Sequence, residues 1–246
     1  MSLSPYHARR LLLLSNSRDS AGRYLVHARD ALAEQLQGVR ELLFVPYAGV
    51  TVSWDDYAAR VALALEPLGL VVRSVHVSDD PVAAVLSAEA IAVGGGNTFH
   101  LLATLQQFGL VGPIRRRALD GMPYVGWSAG SVVACPTLQT TNDMPIVQPA
   151  SFEALSLVDF QINAHFTDAH PPGFQGETRR ERLAEYVAAN PSMRVIGLPE
   201  GDWLRVRGTE VYLEGEHEAL VFSDAHEPQA VAPGTDCTRW LRSLDG

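Results

Sequence analysis

Lysine is absent from this 246-residue chain, so all nineteen basic residues are arginine. That absence excludes whole chemistries. No Schiff base can form with a substrate or with pyridoxal phosphate, no P-loop lysine can hold a phosphate, and no Ser–Lys dyad can be built. Cysteine is almost as scarce. Cys135 and Cys237 are too few for a disulfide framework and read as two reduced thiols of a cytoplasmic protein. Long apolar runs are also missing. The four leucines from Leu11 to Leu14, which follow Arg9-Arg10, are too short for a signal-peptide core or a membrane span and read as a buried strand. Positive charge is in deficit: 28 acidic residues leave a net charge of −9, which argues against a nucleic-acid or anionic-membrane surface. The three-residue basic run Arg115-Arg116-Arg117 falls in a predicted helix and reads as a solvated face.

What is present describes a globular chain, 47% hydrophobic and 19% charged, long enough to bury a real core. Short unalternated apolar strands (Leu11–Leu14, Leu42–Val45, Leu70–Val77, Ile91–Val93, Pro123–Trp127) alternate with helical stretches. The predicted helices are Gly22–Gln37, Trp54–Leu68 and Thr98–Phe108. This rhythm implies a mainly parallel sheet covered by helices on both faces. Thr137 to Asp159 reads as irregular, Glu177 to Ala189 as a helix and Arg194 to Leu198 as a strand. The C-terminal part alternates like short antiparallel strands: Trp203–Arg207, Val211–Leu213, Ala219–Phe222 and Gln229–Val231. No linker or repeat interrupts the chain, so residues 1–246 are expected to form one domain.

The segment that carries chemistry is Gly126-Trp127-Ser128-Ala129-Gly130. It fits G-x-S-x-G, with an apolar strand entering and a helix-compatible stretch leaving, as a nucleophile elbow requires. The serine would then sit at a sheet edge and a helix N-terminus, where partial positive charge favours an oxyanion. A serine needs a base. His165 ends the strand-like run Phe160–Ala164 and opens into a polar loop, so it can face the same sheet edge; His170, followed by two prolines, is the nearby competitor. The acid that orients the imidazole has three candidates. Glu200 follows a core strand and is favoured on that ground, Asp143 lies in the irregular segment after the elbow, and Asp202 is weaker. Gly94-Gly95-Gly96-Asn97-Thr98 also follows a strand and opens a helix. A phosphate cradle there lacks the remaining dinucleotide signals and a P-loop lysine. The preferred reading is an oxyanion hole that pairs a glycine N–H with that of Ala129.

Taken together, these residues resemble a known serine peptidase family, that of peptidase E (the bacterial α-aspartyl dipeptidases) and cyanophycinase. The matching stretches include Leu11–Ser17, Pro46–Thr51, Trp54–Tyr57, Gly94–Phe99, Gly126–Gly130, Ala134–Thr137, Thr140–Ile146, Gly176–Arg179 and Ile196–Gly201, in order along nearly the whole chain. The departure is Ser131-Val132-Val133 after the elbow, expected to alter packing rather than the nucleophile.

The resemblance implies a class I glutamine amidotransferase-like (flavodoxin-like) fold with serine in place of the elbow cysteine. It implies a Ser–His–Glu triad at Ser128, His165 and Glu200, an oxyanion hole at Gly96 and Ala129, and metal-free hydrolysis of Asp-Xaa dipeptides without a cofactor. In the substrate pocket, Arg179, ahead of Arg180 and Arg182, is expected to grip the side-chain carboxylate, with Asn97, Asp143 and Glu177 as further contacts and the last two as acceptors for the substrate amine. Expected partners are small peptides, not nucleic acid or membrane, for a monomer or homodimer. Rival readings are a cyanophycinase-like β-aspartyl hydrolase, an esterase, and a non-catalytic flavodoxin-like module binding a nucleotide at the glycine turn. A metal site from His165, Asp168 and His170 lacks a supporting ligand cluster.

Overall fold

The structure, a computed structural model, describes residues 6–169, 172–173, 175–224 and 227–241. Among these, the first half builds β1 (Arg10–Leu14), α1 (Arg29–Gln35), β2 (Glu41–Val45), α2 (Trp54–Leu65), β3 (Val71–Ser74), α3 (Pro81–Ser87) and β4 (Ala90–Val93). It continues with α4 (Thr98–Gln107), α5 (Val111–Leu119), β5 (Tyr124–Trp127) and the single turn α6 (Ala129–Val132). The second half adds β6 (Gln161–Phe166), α7 (Arg179–Ala189), β7 (Val195–Pro199), β8 (Trp203–Arg207), β9 (Glu210–Glu214), β10 (Ala219–Phe222), β11 (Gln229–Val231) and α8 (Thr238–Leu241).

Seven of these strands form one sheet in the order β3-β2-β4-β5-β1-β8-β9, and four form a second in the order β11-β10-β7-β6. The first sheet is parallel from β3 to β1, and β8 and β9 extend its edge antiparallel. In the second, β6 and β7 are parallel, while β10 and β11 are antiparallel. The expected α/β architecture with an antiparallel C-terminal part is therefore present, but split over two sheets.

Why the central strands show no alternation is visible in the core. Leu11 and Leu13 join one apolar cluster with Ile91, Val93 and residues of α4 and α5; Leu12 and Leu14 join another with Phe44, Val125 and residues of α1 and α2. Both faces are buried, so polar residues have no place on either. The inner face of the small sheet packs into the first cluster through Ile162, Ile196 and Leu198, and α7 covers its outer face at Leu183 and Val187.

Several boundaries differ from expectation. The helix predicted over residues 22–37 begins only at Arg29, because Gly22 and Leu25 take positive φ (78° and 56°) and Leu25 N–H turns back to the Ser17 carbonyl. The strand expected over 70–77 stops at Ser74 and gives way to a 3₁₀ turn at Val75–Val77. The helix expected to reach Leu68 tightens to 3₁₀ at Glu66–Leu68, where Pro67 removes a donor. The helix α3 lies outside the expected elements; Asp80 caps it, accepting the Ala83 N–H at 2.9 Å.

Candidate active site

Ser128 stands between β5 and α6 at φ 53°, ψ −116°, a conformation that costs a non-glycine residue about 1–3 kcal/mol and persists only where the surroundings enforce it. They do so here. The Ser128 N–H is held by the Leu14 carbonyl at 3.0 Å. A Cβ on Gly126 would strike the Gly130 backbone, and one on Gly130 would run into the Val93 carbonyl, so the flanking glycines let helix and strand approach. Ser131, the departure noted in the sequence, is fully buried and its hydroxyl donates to the same Leu14 carbonyl at 2.7 Å.

His165 reaches the serine from the second sheet. Between the pairs Asn163↔Gly197 and Phe166↔Pro199, β6 carries one residue more than β7, and His165 sits in this bulge at φ 55°. Such an extra residue re-aims a side chain. The His165 Nε2 lies 2.8 Å from Ser128 Oγ, and its Nδ1 lies 2.6 Å from Glu200 Oε1. Glu200 follows β7 and is well exposed.

Ser15 and Asn16, immediately after β1, hold both partners. The Ser15 hydroxyl accepts the His165 N–H at 2.8 Å and donates to the Leu198 carbonyl at 2.8 Å, while Asn16 Oδ1 accepts the Gly201 N–H at 2.9 Å. Asp202, the weakest acid candidate, is fully buried and accepts from the backbone of Glu216 and His217, away from His165.

The glycine turn closes the site from β4. Gly94 and Asn97 spend their N–H groups on the Val45 and Ala48 carbonyls, at 3.1 and 2.9 Å. Gly95 packs so tightly that a Cβ on it would lie 2.9 Å from Ser128 Cβ. Gly96 has φ 139°, closed to L side chains, and a Cβ there would meet the Ala48 carbonyl. The Asn97 side chain caps α4 through the His100 N–H at 3.0 Å and donates to the Met144 carbonyl at 2.8 Å.

Asp143 sits behind this turn. Its Oδ2 accepts from Thr98 N–H (2.7 Å), Thr98 Oγ1 (2.6 Å) and Thr141 Oγ1 (3.1 Å). It therefore anchors the Thr140–Ile146 segment to the start of α4, outside the cleft. Glu177 is also outside it, exposed and 3.8 Å from Arg182.

A cleft of about 540 Å³ opens beside Ser128 and His165. Among the described residues its lining includes Gly95, Gly96 and Asn97 but neither Arg179 nor any carboxylate, and its full charges come from Arg18 and Arg60, which the sequence did not single out. Arg18 stacks 5.5 Å over the Tyr24 ring, also part of the lining. Arg179, at the start of α7, donates to the carbonyl of His165. Burial pulls its guanidinium below the ordinary value and the nearby Glu200 charge opposes that, so it stays charged at neutral pH.

Asp168 pairs with Arg180 at 2.7 Å, and His170 lies outside the described residues. Among the described residues no group of three or more His, Cys, Asp or Glu side chains could hold a metal ion, and no helix is long and apolar enough to cross a membrane.

A serine hydroxyl bonded to an imidazole that is itself bonded to a carboxylate is an arrangement suited to acyl transfer, and the family model for peptidase family S51 matches this chain over residues 11–213. The chain belongs to peptidase family S51. Its family relatives include the peptidase E of Escherichia coli (strain K12 / DH10B), 49% identical over 224 residues that cover 91% of this chain and 98% of the relative. The peptidase E of Citrobacter koseri matches to the same extent. Two solved structures share the fold. A putative peptidase E from Listeria monocytogenes EGD-e superposes with a TM-score of 0.63 at 23% identity, over 84% of this chain and 98% of that one. A peptidase from an acI-B1 actinobacterium gives 0.67 at 17% identity, over 94% and 97%. The protein is a family S51 peptidase, a hydrolase.

Proposed function

We propose that this S51 peptidase is a serine exopeptidase that cleaves dipeptides with an N-terminal aspartate. Ser128 attacks the aspartyl carbonyl, His165 takes the serine proton and returns it to the leaving amine, and Glu200 orients the imidazole and stabilises its charged form. The N–H groups of Gly96 and Ala129 receive the oxyanion. Water then releases aspartate from the acyl-enzyme.

The observation that carries the reading is the continuous line of bonds Ser128–His165–Glu200 at the edge of a cleft whose full charges, among the described residues, are cationic, in a chain of net charge −9. An Asp-Xaa dipeptide carries two carboxylates and one ammonium, and such a cleft favours that net negative charge. Arg179 takes the side-chain carboxylate, from its place beside the histidine. Arg18 and Arg60 supply attraction at the mouth. The two buried, unpaired thiols suit a reducing cytoplasm.

The test is a panel of Asp-Xaa, Asn-Xaa, Glu-Xaa and β-Asp-Xaa peptides, with free and blocked N-termini, offered to the parent and to Ser128→Ala. Cleavage confined to Asp-Xaa and lost in the folded variant supports the reading. Preference for β-Asp-Xaa would move the enzyme to the cyanophycinase-like alternative, and turnover retained in Ser128→Ala would remove the serine mechanism. Arg179→Ala should impair Asp-Xaa far more than Asn-Xaa; equal losses would remove that assignment.

A further inference from the structure

Tyr57, on α2, has a buried ring, and its side chain reaches the cleft wall. Three polar groups meet its oxygen: the Gly95 carbonyl at 3.0 Å, the Trp127 Nε1 at 3.0 Å and the Tyr24 hydroxyl at 3.3 Å. The direction of these bonds is forced. A carbonyl only accepts and an indole N–H only donates. The single Tyr57 proton therefore goes to Gly95, and its lone pairs take the indole and Tyr24.

The Gly95 carbonyl belongs to the same trans peptide unit as the Gly96 N–H, and the two point in opposite directions. Whatever holds the carbonyl also aims the N–H. Gly96 cannot be fixed by a side chain of its own, and its φ of 139° lies where glycine alone moves freely. Without an external tie this peptide could rotate, and the donor would lose its aim. Tyr57 provides the tie. It also grips Trp127, the residue preceding Ser128, so the glycine turn and the elbow meet at one oxygen.

We propose that Tyr57 is a positioning residue of the oxyanion hole, whose hydroxyl holds the Gly95–Gly96 peptide so that the Gly96 N–H meets the charge developing as Ser128 attacks. This rests on the serine-peptidase reading above. Burial raises the Tyr57 phenol above its ordinary value, outweighing the bonds that lower it, which keeps the group a neutral donor at neutral and mildly alkaline pH.

Tyr57→Phe removes the tie and keeps the ring. Loss of a complete oxyanion donor costs about 100- to 1000-fold in kcat, and a donor that is loosened but present costs less. The expected result is a kcat lower by about 10- to 100-fold with KM within about twofold. An aspartyl boronic acid, whose tetrahedral adduct on Ser128 places an oxygen in the hole, should lose affinity by the same factor. An intact Asp-Xaa peptide binding to Ser128→Ala should bind equally well when Tyr57→Phe is added. A merely structural role would weaken both ligands together. A kcat within about twofold of the parent, or equal losses in the two affinities, overturns the proposal.

If Tyr57→Phe folds poorly, difluorotyrosine at position 57 decides. It keeps the hydroxyl but ionises at lower pH, and a phenolate cannot donate to Gly95. The alkaline loss of kcat should then move to lower pH than in the parent, and an unmoved alkaline limb overturns the proposal. Turnover persisting in Ser128→Ala would instead topple the serine reading, and this proposal with it.

Discussion

Replacing Ser15 with alanine tests whether the second sheet is pinned to the first at the site of chemistry. The Ser15 hydroxyl is fully buried and serves two groups, the His165 N–H and the Leu198 carbonyl, each at 2.8 Å. Alanine satisfies neither. The Leu198 carbonyl, in the buried centre of β7, bears a desolvation cost of about 1–3 kcal/mol, and the partly buried His165 N–H loses a bond of about 1 kcal/mol. A total of about 2–4 kcal/mol corresponds to a Tm lower by on the order of 10 °C for a chain of this length. The catalytic effect should exceed what stability explains. His165 holds a positive φ inside a bulge, and its ring must meet Ser128 and Glu200 at once. A misplacement of about 1 Å costs on the order of 100-fold. Ser15→Ala should therefore lose about 10- to 100-fold in kcat at a temperature where it is fully folded, with KM little changed. Calorimetry and steady-state hydrolysis of an Asp-Xaa peptide measure the two effects. A Tm within about 2 °C and a kcat within about twofold of the parent would refute the reasoning.

Gly95→Ala places a Cβ 2.9 Å from Ser128 Cβ and 3.0 Å from the Trp127 carbonyl, so turnover should fall by on the order of 100-fold while circular dichroism shows a retained fold. Asp143→Ala removes two bonds at the start of α4 and one from Thr141, and should cost about 1–3 kcal/mol in denaturant unfolding. If Asp143 also held the substrate amine, the variant would raise KM for free peptides and spare N-blocked ones; an equal change for both assigns it to the scaffold. Arg60→Gln should lower kcat/KM for anionic dipeptides several-fold and flatten its dependence on salt, with neutral peptides unaffected in competition assays.

Glu214 supplies a pH test of stability. Burial raises its carboxyl, but bonds from Arg205 and Trp203 and the charges of Arg205 and Arg207 outweigh this and leave it below its ordinary value. A folded pKa below the unfolded one gives stabilisation that is complete above about pH 4.3 and lost as the pH falls through the folded value. Glu214→Gln should lower Tm at neutral pH and flatten its decline in acid; a parallel curve would contradict the assignment.

The site was legible where chemistry and local backbone coincide. Gly126–Gly130 announces its strand, turn and helix in five residues, and His165 and Glu200 each sit where an apolar run opens into polar chain. The two-sheet division was not legible. Residues 161–166 and 195–199 are buried on both faces, and a short buried run reads the same whichever sheet a strand joins. Residues that hold or electrify the site from a distance also escaped. Ser15 and Arg18 follow β1 while Tyr57 and Arg60 lie on α2, and only the tertiary fold brings these two segments to one site. Asp143 lies in the right neighbourhood, yet its carboxylate is taken by the α4 N-terminus, whereas the His165 carbonyl takes only one nitrogen of the Arg179 guanidinium.

The nucleophile and its base come from different sheets, Ser128 from the edge of β5 and His165 with Glu200 from β6 and the end of β7. Turnover is then a direct report on the seam between the sheets. Local opening that slides the small sheet by less than an ångström would disconnect the serine while every strand remained paired. Heating should silence this enzyme reversibly some degrees before it melts, and crosslinking across that seam should bring the two temperatures together.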